Sequence, residues 1–526
     1  MEDSLHRLRA SRAIRKARAR RRTTGCQNVR PSASDPPLRT PSLSLSNLTG
    51  DARLAMETLA GRARDLATPS VRLGITGLSR AGKTVFITAL VHNLLHGGRL
   101  PLFQAAASGR LSGVRLDPQP DDAVPRFDYE AHVDALVDRR LWPASTRMIA
   151  ELRLTLSYES ATFLGRNFGR GRLHLDLVDY PGEWLLDLAL LDRDYAAWSR
   201  DAVSRLTAQP LGEASQRFLA ALKELPPSAA ENEAEARRLA ELFTAHLRAR
   251  RADPEALAAE PPGRFLMPGD LEGSPLVTFA PLFLDGEPAR GSLAAMMARR
   301  YESYRTHVVR PFFRDHFSRL DRQIVLVDAL AALDRGPAAV HELERVLGEV
   351  MAAFRPGKLS WLGSLVDRRV DRILFAATKA DHLHHRDHDR LEAILARLVA
   401  GASARASFAG ATVDVAAIAA VRATRQAVVR RGGERLPAII GTPMPGERID
   451  GETYDGDTEI ALFPGDLPAD PAAVFEAPAS AAPPGDLRFA RFRPPRLERT
   501  PDGLGLVLPH IRLDRALQFL IGDRLA

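Results

Sequence analysis

The sequence is nearly empty of cysteine, short of lysine and free of long apolar runs, and each shortage closes off a class. A single cysteine, Cys26, leaves no internal disulfide framework and suits a reducing cytosol. No stretch approaches the roughly 18 consecutive apolar residues that a membrane-spanning helix needs. The arginine-rich amino-terminal region has no apolar segment behind it, so it does not read as a secretory signal. No internal repeat is visible. The only lysines are Lys16, Lys83, Lys223, Lys358 and Lys379, within a total of 73 basic residues. Two of them, Lys83 and Lys379, fall inside the motifs taken up below, where an ammonium that must fit as a point charge is not replaced by a planar guanidinium.

At 526 residues the chain exceeds one ordinary core, so two or more structural units are expected. The apolar fraction of 45% and charged fraction of 26% are those of a soluble globular protein. The net charge of +8 is matched by residues 1–50 alone, with ten Arg and one Lys against Glu2, Asp3 and Asp35. The basic charge therefore belongs to an appendage, and the folded body is balanced. LHRLRASRAIRKARARRR (5–22) reads as a basic helix, followed by a Pro/Ser/Thr-rich disordered stretch. That tail is a candidate electrostatic arm toward nucleic acid or an anionic membrane, giving a cytoplasmic protein with a route to the membrane periphery. A start at Met56, close to the first strand, is the alternative that removes the arm.

A helical lead-in, DARLAMETLAGRARDLA, precedes the first strand, VRLGIT (71–76). Further strand-like runs are ELRLTLSY (151–158), RLHLDLVD (172–179), RQIVLVDAL (322–330), DRILFAAT (371–378) and TVDVAAIAAV (412–421). The runs at 151 and 172 suit a hairpin. Helical patterns separate most of the others, so the expected fold is α/β, a mostly parallel sheet covered on both faces. The expected organisation is a tail (1–50), a first half of the sheet domain (51–195, with an insertion at 97–145) and a mainly helical insertion (196–320). The second half (321–430), a turn- and β-rich accessory segment (431–500) and a carboxy-terminal stretch (501–526) follow. In that last stretch Leu513, Ala516, Leu517, Leu520 and Ile521 share one apolar helix face.

Three stretches carry chemistry. GLSRAGKT, from Gly77 to Thr84, lies between a strand and a helix, as a phosphate-binding loop requires. Gly77 and Gly82 let the backbone curl so that amides along Ser79, Arg80, Ala81, Gly82 and on to Val85 face a phosphate at a helix start. Lys83 would reach the β- and γ-phosphates, and the Thr84 hydroxyl would ligate Mg2+. Taken alone, the spacing also suits a plain glycine turn. The second stretch is LHLDLVDYPGEW, where Asp179 closes a strand and Gly182 follows three residues later. An Asp there can hold Mg2+ through water, and a glycine amide can contact a γ-phosphate and swing when it leaves. Asp328, closing RQIVLVD, is the rival Mg2+ residue; Asp179 is preferred for its pairing with Gly182, and Asp176 is read as structural. The third is FAATKAD, with Thr378, Lys379 and Asp381. A carboxylate at that strand edge accepts from guanine N1–H and the 2-amino group, and adenine offers neither donor. In isolation T-K-x-D also suits a helix N-cap. The run HLHHRDHD (382–389) invites a metal reading, but without cysteines or a second cluster it is assigned to a solvated helix start.

The order G-x-x-x-x-G-K-T, D-x-x-G, [NT]-K-x-D is the motif series of GTPase domains. Through GLSRAGKTVFITALV, VDYPGEWLLDL, DRQIVLVDAL, LFAATKADH and LPHIRLDRALQFLIGDRL, the sequence resembles the stress-inducible YcjX-like P-loop proteins of bacteria, from about residue 56 to the end. The resemblance implies a Ras-like nucleotide domain with a helical insertion, Mg2+ as cofactor, and GTP as ligand, although members are often labelled ATPases. The resemblance supplies no cellular role; the first reading is a stress-related, Mg2+-dependent GTP-hydrolysing switch, with the insertion as lid or partner surface. Within that frame Thr146, with Ser145 beside it, takes the place of the first-switch threonine on Mg2+. The backbone of Ala419 and Ala420 takes the base side. Glu183 stands where many GTPases orient the attacking water with Gln, which implies slow hydrolysis. A cis transition-state arginine is sought at Arg80 or Arg147, with surface salt-bridging as the plainer role for each. An ATPase using the same loop, and a nucleotide-dependent binding module with negligible turnover, are the competing readings.

Overall fold

The apolar runs become strands of one sheet in the computed structural model of the chain. It describes residues 68–526 apart from 79, 145, 147, 162–170, 209–211, 227–228, 253–259, 285, 353–369, 432–433, 450, 477–486, 488 and 498–506. The tail and the helical lead-in expected over 51–67 lie outside the described residues. The strands are β1 (Ser70–Gly77), β2 (Leu111–Asp117), β3 (Ala150–Tyr158), β4 (Gly171–Asp179), β5 (Arg322–Val327), β6 (Arg372–Ala377) and β7 (Thr412–Ala417). Their spatial order is β2-β3-β4-β1-β5-β6-β7. β4, β1, β5, β6 and β7 run parallel, while β3 pairs antiparallel with β4 from Ala150–Asp179 to Tyr158–Gly171, as the hairpin reading required. Every residue of β5 is buried, as expected of a parallel strand covered on both faces. The mostly parallel sheet with its covering helices is that of a P-loop α/β domain.

This topology fixes where a ligand can sit. β1 is flanked by β4 on one side and β5 on the other, so chain connections leave it in opposite directions. The crevice at the carboxyl ends of such strands is the usual ligand position in open α/β sheets. All three motif stretches leave the sheet at that edge.

Boundaries differ from the sequence reading in three places. The run at 322–330 stops at Val327, because Asp328 caps helix Ala329–Arg335 by accepting from Ala331 N at 3.2 Å. The run at 412–421 stops at Ala417. The stretch 97–145 supplies β2, which the sequence did not announce. Its residues are only half-buried and its pairing with β3 slips between Leu111 and Gly113, so no clean period-2 pattern marks it.

The helices used below are α1 (Lys83–Leu95), α2 (Tyr195–Ala208), α3 (Glu233–Ala252), α4 (Leu293–Tyr304), α5 (Ala329–Arg335), α6 (Pro337–Ala352), α7 (His388–Leu398) and α8 (Leu513–Ile521). α8 lays Leu513, Ala516, Leu517, Leu520 and Ile521 into the same apolar cluster as Phe86 and Leu90 of α1. Burial of each of these Leu, Ile and Phe side chains contributes roughly 1.5–3 kcal/mol, and of Ala516 less. Asn93 Nδ2 donates to Leu508 O at 3.1 Å, and Leu102 N donates to Asp514 Oδ2 at 2.9 Å, which pins the approach. The described residues within 196–320 form helices and short turns around a separate aromatic cluster. There Trp198 stacks on Tyr301 at 5.0 Å and meets Phe243 and Phe279 edge-on. Beyond β7, Arg425–Arg431, Glu434–Gly441 and Ile460–Leu462 make a small antiparallel sheet. Among the described residues no helix is long and apolar enough to cross a membrane.

Candidate functional site

β1 delivers the loop directly onto α1. Gly82, at φ 86°, is the N-cap of α1 and has no side chain to cap it, and the first turn of the helix carries no acidic residue. The first helical amides therefore keep their donor capacity for an anion. Arg80 is held at φ 67°, and Ser79 lies outside the described residues. Lys83 is buried and its Nζ donates to Gly77 O at 2.8 Å and Leu78 O at 3.4 Å, folding the ammonium over its own loop. Burial pushes the Lys83 ammonium pKa down, as does Arg251, while Asp179 and Glu183 hold it up.

One turn on, three oxygens gather. Thr84 Oγ1 and Thr146 Oγ1 lie 3.3 Å apart, and Thr146 donates to Asp179 Oδ2. Asp179 reaches this corner because β4 ends there, in register with Ile75 of β1 and Ala150 of β3. Its other oxygen, Oδ1, is buried without a hydrogen-bond partner, and burial raises its carboxyl pKa to about 6. Hard oxygen donors around an unsatisfied buried carboxylate oxygen fit a Mg2+ ion. Asp328, the rival, is engaged elsewhere: besides capping α5 it pairs with Lys379 Nζ. Asp176 accepts two hydrogen bonds from Arg153, at 2.6 and 2.8 Å, in keeping with a structural part. Ser145 and Arg147 lie outside the described residues.

The segment after Asp179 is pressed between loop and insertion. A Cβ on Gly182 would stand 2.4 Å from Gly77 O and 2.8 Å from Lys83 Nζ, so only glycine permits this approach. Glu183 is 4% exposed, and it pairs with Arg251 of α3 at 2.7 Å. Trp184 lies beneath the Arg264 guanidinium, 3.3 Å from the ring centroid. Asp187 accepts from Gly263 N and from the Tyr304 hydroxyl, both at 2.6 Å.

Burial raises the Asp187 carboxyl pKa to about 6, against a partial pull-down by those donors. The fold thus favours the neutral form more than the unfolded chain does. Stability from this group is full below about pH 4 and is lost as pH rises through about 6. Asp187→Asn, which stays neutral, is expected to gain on wild type by up to roughly 3 kcal/mol across that window. The check is the difference in Tm between variant and wild type, which should become more positive from about pH 4 to about pH 6.5; a constant difference contradicts the assignment.

At the far end, β6 runs into Thr378 and Lys379, the latter at φ 61°. Asp381 Oδ2 accepts from Ala423 N at 2.8 Å, and Asp381 O accepts from the Thr424 hydroxyl. The Ala419 amide is consumed by Ile511 O at 3.0 Å, which leaves Ala420 of the expected base-side pair. The histidine run is not the solvated helix start that its polarity suggested. His384 and His388 are buried, and His382 meets Phe492 edge-on at 5.5 Å. Among the described residues no group of three or more His, Cys, Asp or Glu gathers to hold a metal.

One cavity of about 380 Å³ brings these parts together: Arg80, Ala81, Gly82, Lys83, Thr84, Val85, Thr146, Gly182 and Glu183 at one end, and Thr378, Lys379, Asp381 and Ala420 at the other. That size is within the range of small-molecule sites. Gly77 lies behind it, under the Lys83 ammonium. The sequence reading missed Trp142, Met444, Arg491 and Phe492 on its wall, and Arg251 beside it. A signal for Trp142 existed, since it is one of four tryptophans and shortly precedes Thr146; its indole donates to Phe492 O at 2.7 Å.

Comparison with known proteins follows the same line. The family model described as YcjX-like family, DUF463, matches residues 71–525. A protein of Escherichia coli (strain K12) named Ras-like GTPase YcjX is 37% identical over 469 residues, covering 86% of this chain and 96% of that protein. A protein of the same name from Shewanella oneidensis is 34% identical over 477 residues, covering 86% of this chain and 94% of that protein.

Proposed function

The chain belongs to the YcjX-like family, and from that premise we propose that it binds GTP with Mg2+ and hydrolyses it slowly, acting as a nucleotide-state switch. The observation that carries this reading is the single cavity in which Lys83 and Thr84 stand at one end and Asp381 at the other. The names of both relatives support it. Helix α1 presents its amides, and Lys83 a point charge, to the β- and γ-phosphates. Thr84 and Thr146 would hold Mg2+, with Asp179 behind them, and the ion would supply neutralisation of phosphate charge. Gly182 presents its amide at the γ-phosphate edge, and Asp381 accepts from the guanine N1–H and amino groups. Glu183, paired with a cation, meets an incoming γ-phosphate as a neutralised carboxylate. The insertion, packed on the segment after Gly182, is the surface through which a protein partner would sense the phosphate.

Equilibrium binding of GTP, ATP and GDP, with and without EDTA, tests the reading together with single-turnover phosphate release. The expected result is GTP at least about a hundredfold tighter than ATP, since unpaired buried polar groups are strongly penalised. Tighter ATP binding overturns the guanine assignment, and GTP binding without release leaves a binding module. Gly182→Ala supplies a narrower check. Its methyl must displace either Gly77 O or the Lys83 ammonium. Affinity for a non-hydrolysable GTP analogue should fall about tenfold, with GDP affinity nearly unchanged; equal losses for both would place Gly182 away from the γ-phosphate.

A further inference from the structure

Of the arginines sought from the sequence, Arg147 lies outside the described residues, and among the described residues it is Arg251, not Arg80, that pairs with the residue after Gly182. Arg251 stands in the last turn of α3, on the insertion, and its guanidinium lies 2.7 Å from Glu183 Oε1. Glu183 lines the nucleotide cavity. Arg251 lines an adjoining cavity of about 340 Å³ that shares Arg80, Ala81 and Lys379 with the first. Its charge is felt at Lys83, the residue assigned to the β- and γ-phosphates. One buried carboxylate therefore separates this guanidinium from the γ-phosphate edge.

The approach is built from several directions. Arg250, the preceding residue, pairs with Glu260 of the insertion at 3.3 Å and with Glu342 of α6 at 3.7 Å, the latter tying the end of α3 to the sheet domain. Gly263 packs so tightly under the same turn that a Cβ there would fall 1.9 Å from Glu183 O. Asp187 and the Arg264–Trp184 contact hold the segment after Glu183 to the insertion. A fastened helix end that places a partly exposed cation, 30% accessible, against a buried carboxylate at 4% is more than surface charge decoration.

We propose that Arg251 is the transition-state cation of this site, parked on Glu183 and passed to the γ-phosphoryl oxygens as charge develops on them. The proposal rests on the GTP-hydrolysing reading above. In the reaction a water oxygen forms a bond to the γ-phosphorus. The bond from that phosphorus to the β–γ bridging oxygen breaks, and its electron pair stays on GDP. The water protons leave with inorganic phosphate or pass to solvent, and Arg251 neither gains nor loses one. Its part is electrostatic, and Glu183 supplies the resting place that keeps the cation aimed when no extra charge is present.

The test uses the full chain, with single-turnover GTP hydrolysis, GTP affinity and Tm measured for wild type, Arg251→Ala, Arg251→Lys and Glu183→Gln. The expected result is a fall of on the order of 10²–10³-fold in the saturating single-turnover rate for Arg251→Ala, with GTP affinity and Tm lowered as well, because Glu183 is left as an unpaired buried carboxylate. Arg251→Lys keeps the charge and most of the stem, so it folds if the pair is merely structural; its rate should stay low, because an ammonium cannot bridge two phosphoryl oxygens. Added guanidinium ion should restore part of the Arg251→Ala rate. Formation of the GDP–aluminium fluoride complex should follow the rate and be lost in both Arg251 variants. Glu183→Gln should lower the rate less than Arg251→Ala does. A rate within about tenfold of wild type in Arg251→Ala, or full activity in Arg251→Lys, overturns the proposal while leaving GTP hydrolysis standing. Absence of GTP hydrolysis in wild type overturns both.

Discussion

Replacing Lys83 by alanine is expected to lower GTP affinity and single-turnover hydrolysis by on the order of 10²–10³-fold each. The magnitude follows from position. Lys83 sits at the start of α1, over the carbonyls of Gly77 and Leu78, and nearly out of water. A cation there would act on bound phosphate oxygens through a low dielectric and with little competing hydration. Its removal also leaves the buried carboxylates of Asp179 and Glu183 with one neighbouring positive charge fewer, and uncompensated buried charge is costly. Lys83→Arg is the informative companion, because the wider guanidinium does not fit where the ammonium is wedged against Gly182, and it should restore little. Isothermal titration with GTP, alongside phosphate release, makes the measurement. GTP affinity within threefold of wild type in Lys83→Ala would detach the loop from the nucleotide.

The second large effect is expected at the opposite end of the cavity. Asp381→Asn should weaken guanine nucleotides by about 10²–10⁴-fold and shift preference toward xanthosine triphosphate. An asparagine amide would confront the guanine donors with a donor of its own, and such mismatches in a built polar site are heavily penalised. The carboxylate is braced from behind: Ala423 N donates to Oδ2 at 2.8 Å, and the Thr424 hydroxyl donates to the Asp381 carbonyl. That bracing predisposes it to one orientation, so the loss should appear in base discrimination before it appears in Tm. Competition of GTP, ATP and xanthosine triphosphate for one fluorescent nucleotide reads this directly. Unchanged ordering would remove Asp381 from the base.

The stretches legible in the sequence were those whose chemistry needs fixed residue types at fixed short spacing. Gly77 to Thr84, Asp179 with Gly182, and Thr378 to Asp381 each close or follow a strong apolar run, so motif and fold announced one another. The apolar face of α8 was legible for a similar reason, since its burial follows a 3.6-residue period. β2 was not, because a half-buried edge strand with an irregular pairing carries little alternation. The burial of His384 and His388 was hidden by their polar company. Arg251 was the least accessible. It belongs to a helix whose Ala/Glu/Arg composition looks like any solvated face, and its partner lies far back in the chain at Glu183. Proximity of that kind is a product of tertiary packing and leaves no local pattern.

The docking of α8 has a temporal consequence. Its apolar face covers part of the cluster that α1 and the sheet present, and Ile511 exchanges backbone hydrogen bonds with Ala419 beside the base end of the cavity. During synthesis β1 and α1 leave the ribosome long before Leu513–Ile521 exist. Their apolar surface stays uncovered by this helix until Leu513–Ile521 have been made. Such late, long-range closure delays folding and leaves the nascent domain exposed to association with itself. For this chain, the base end of the cavity and the apolar face of α1 gain their cover only once residues 511–521 have been made.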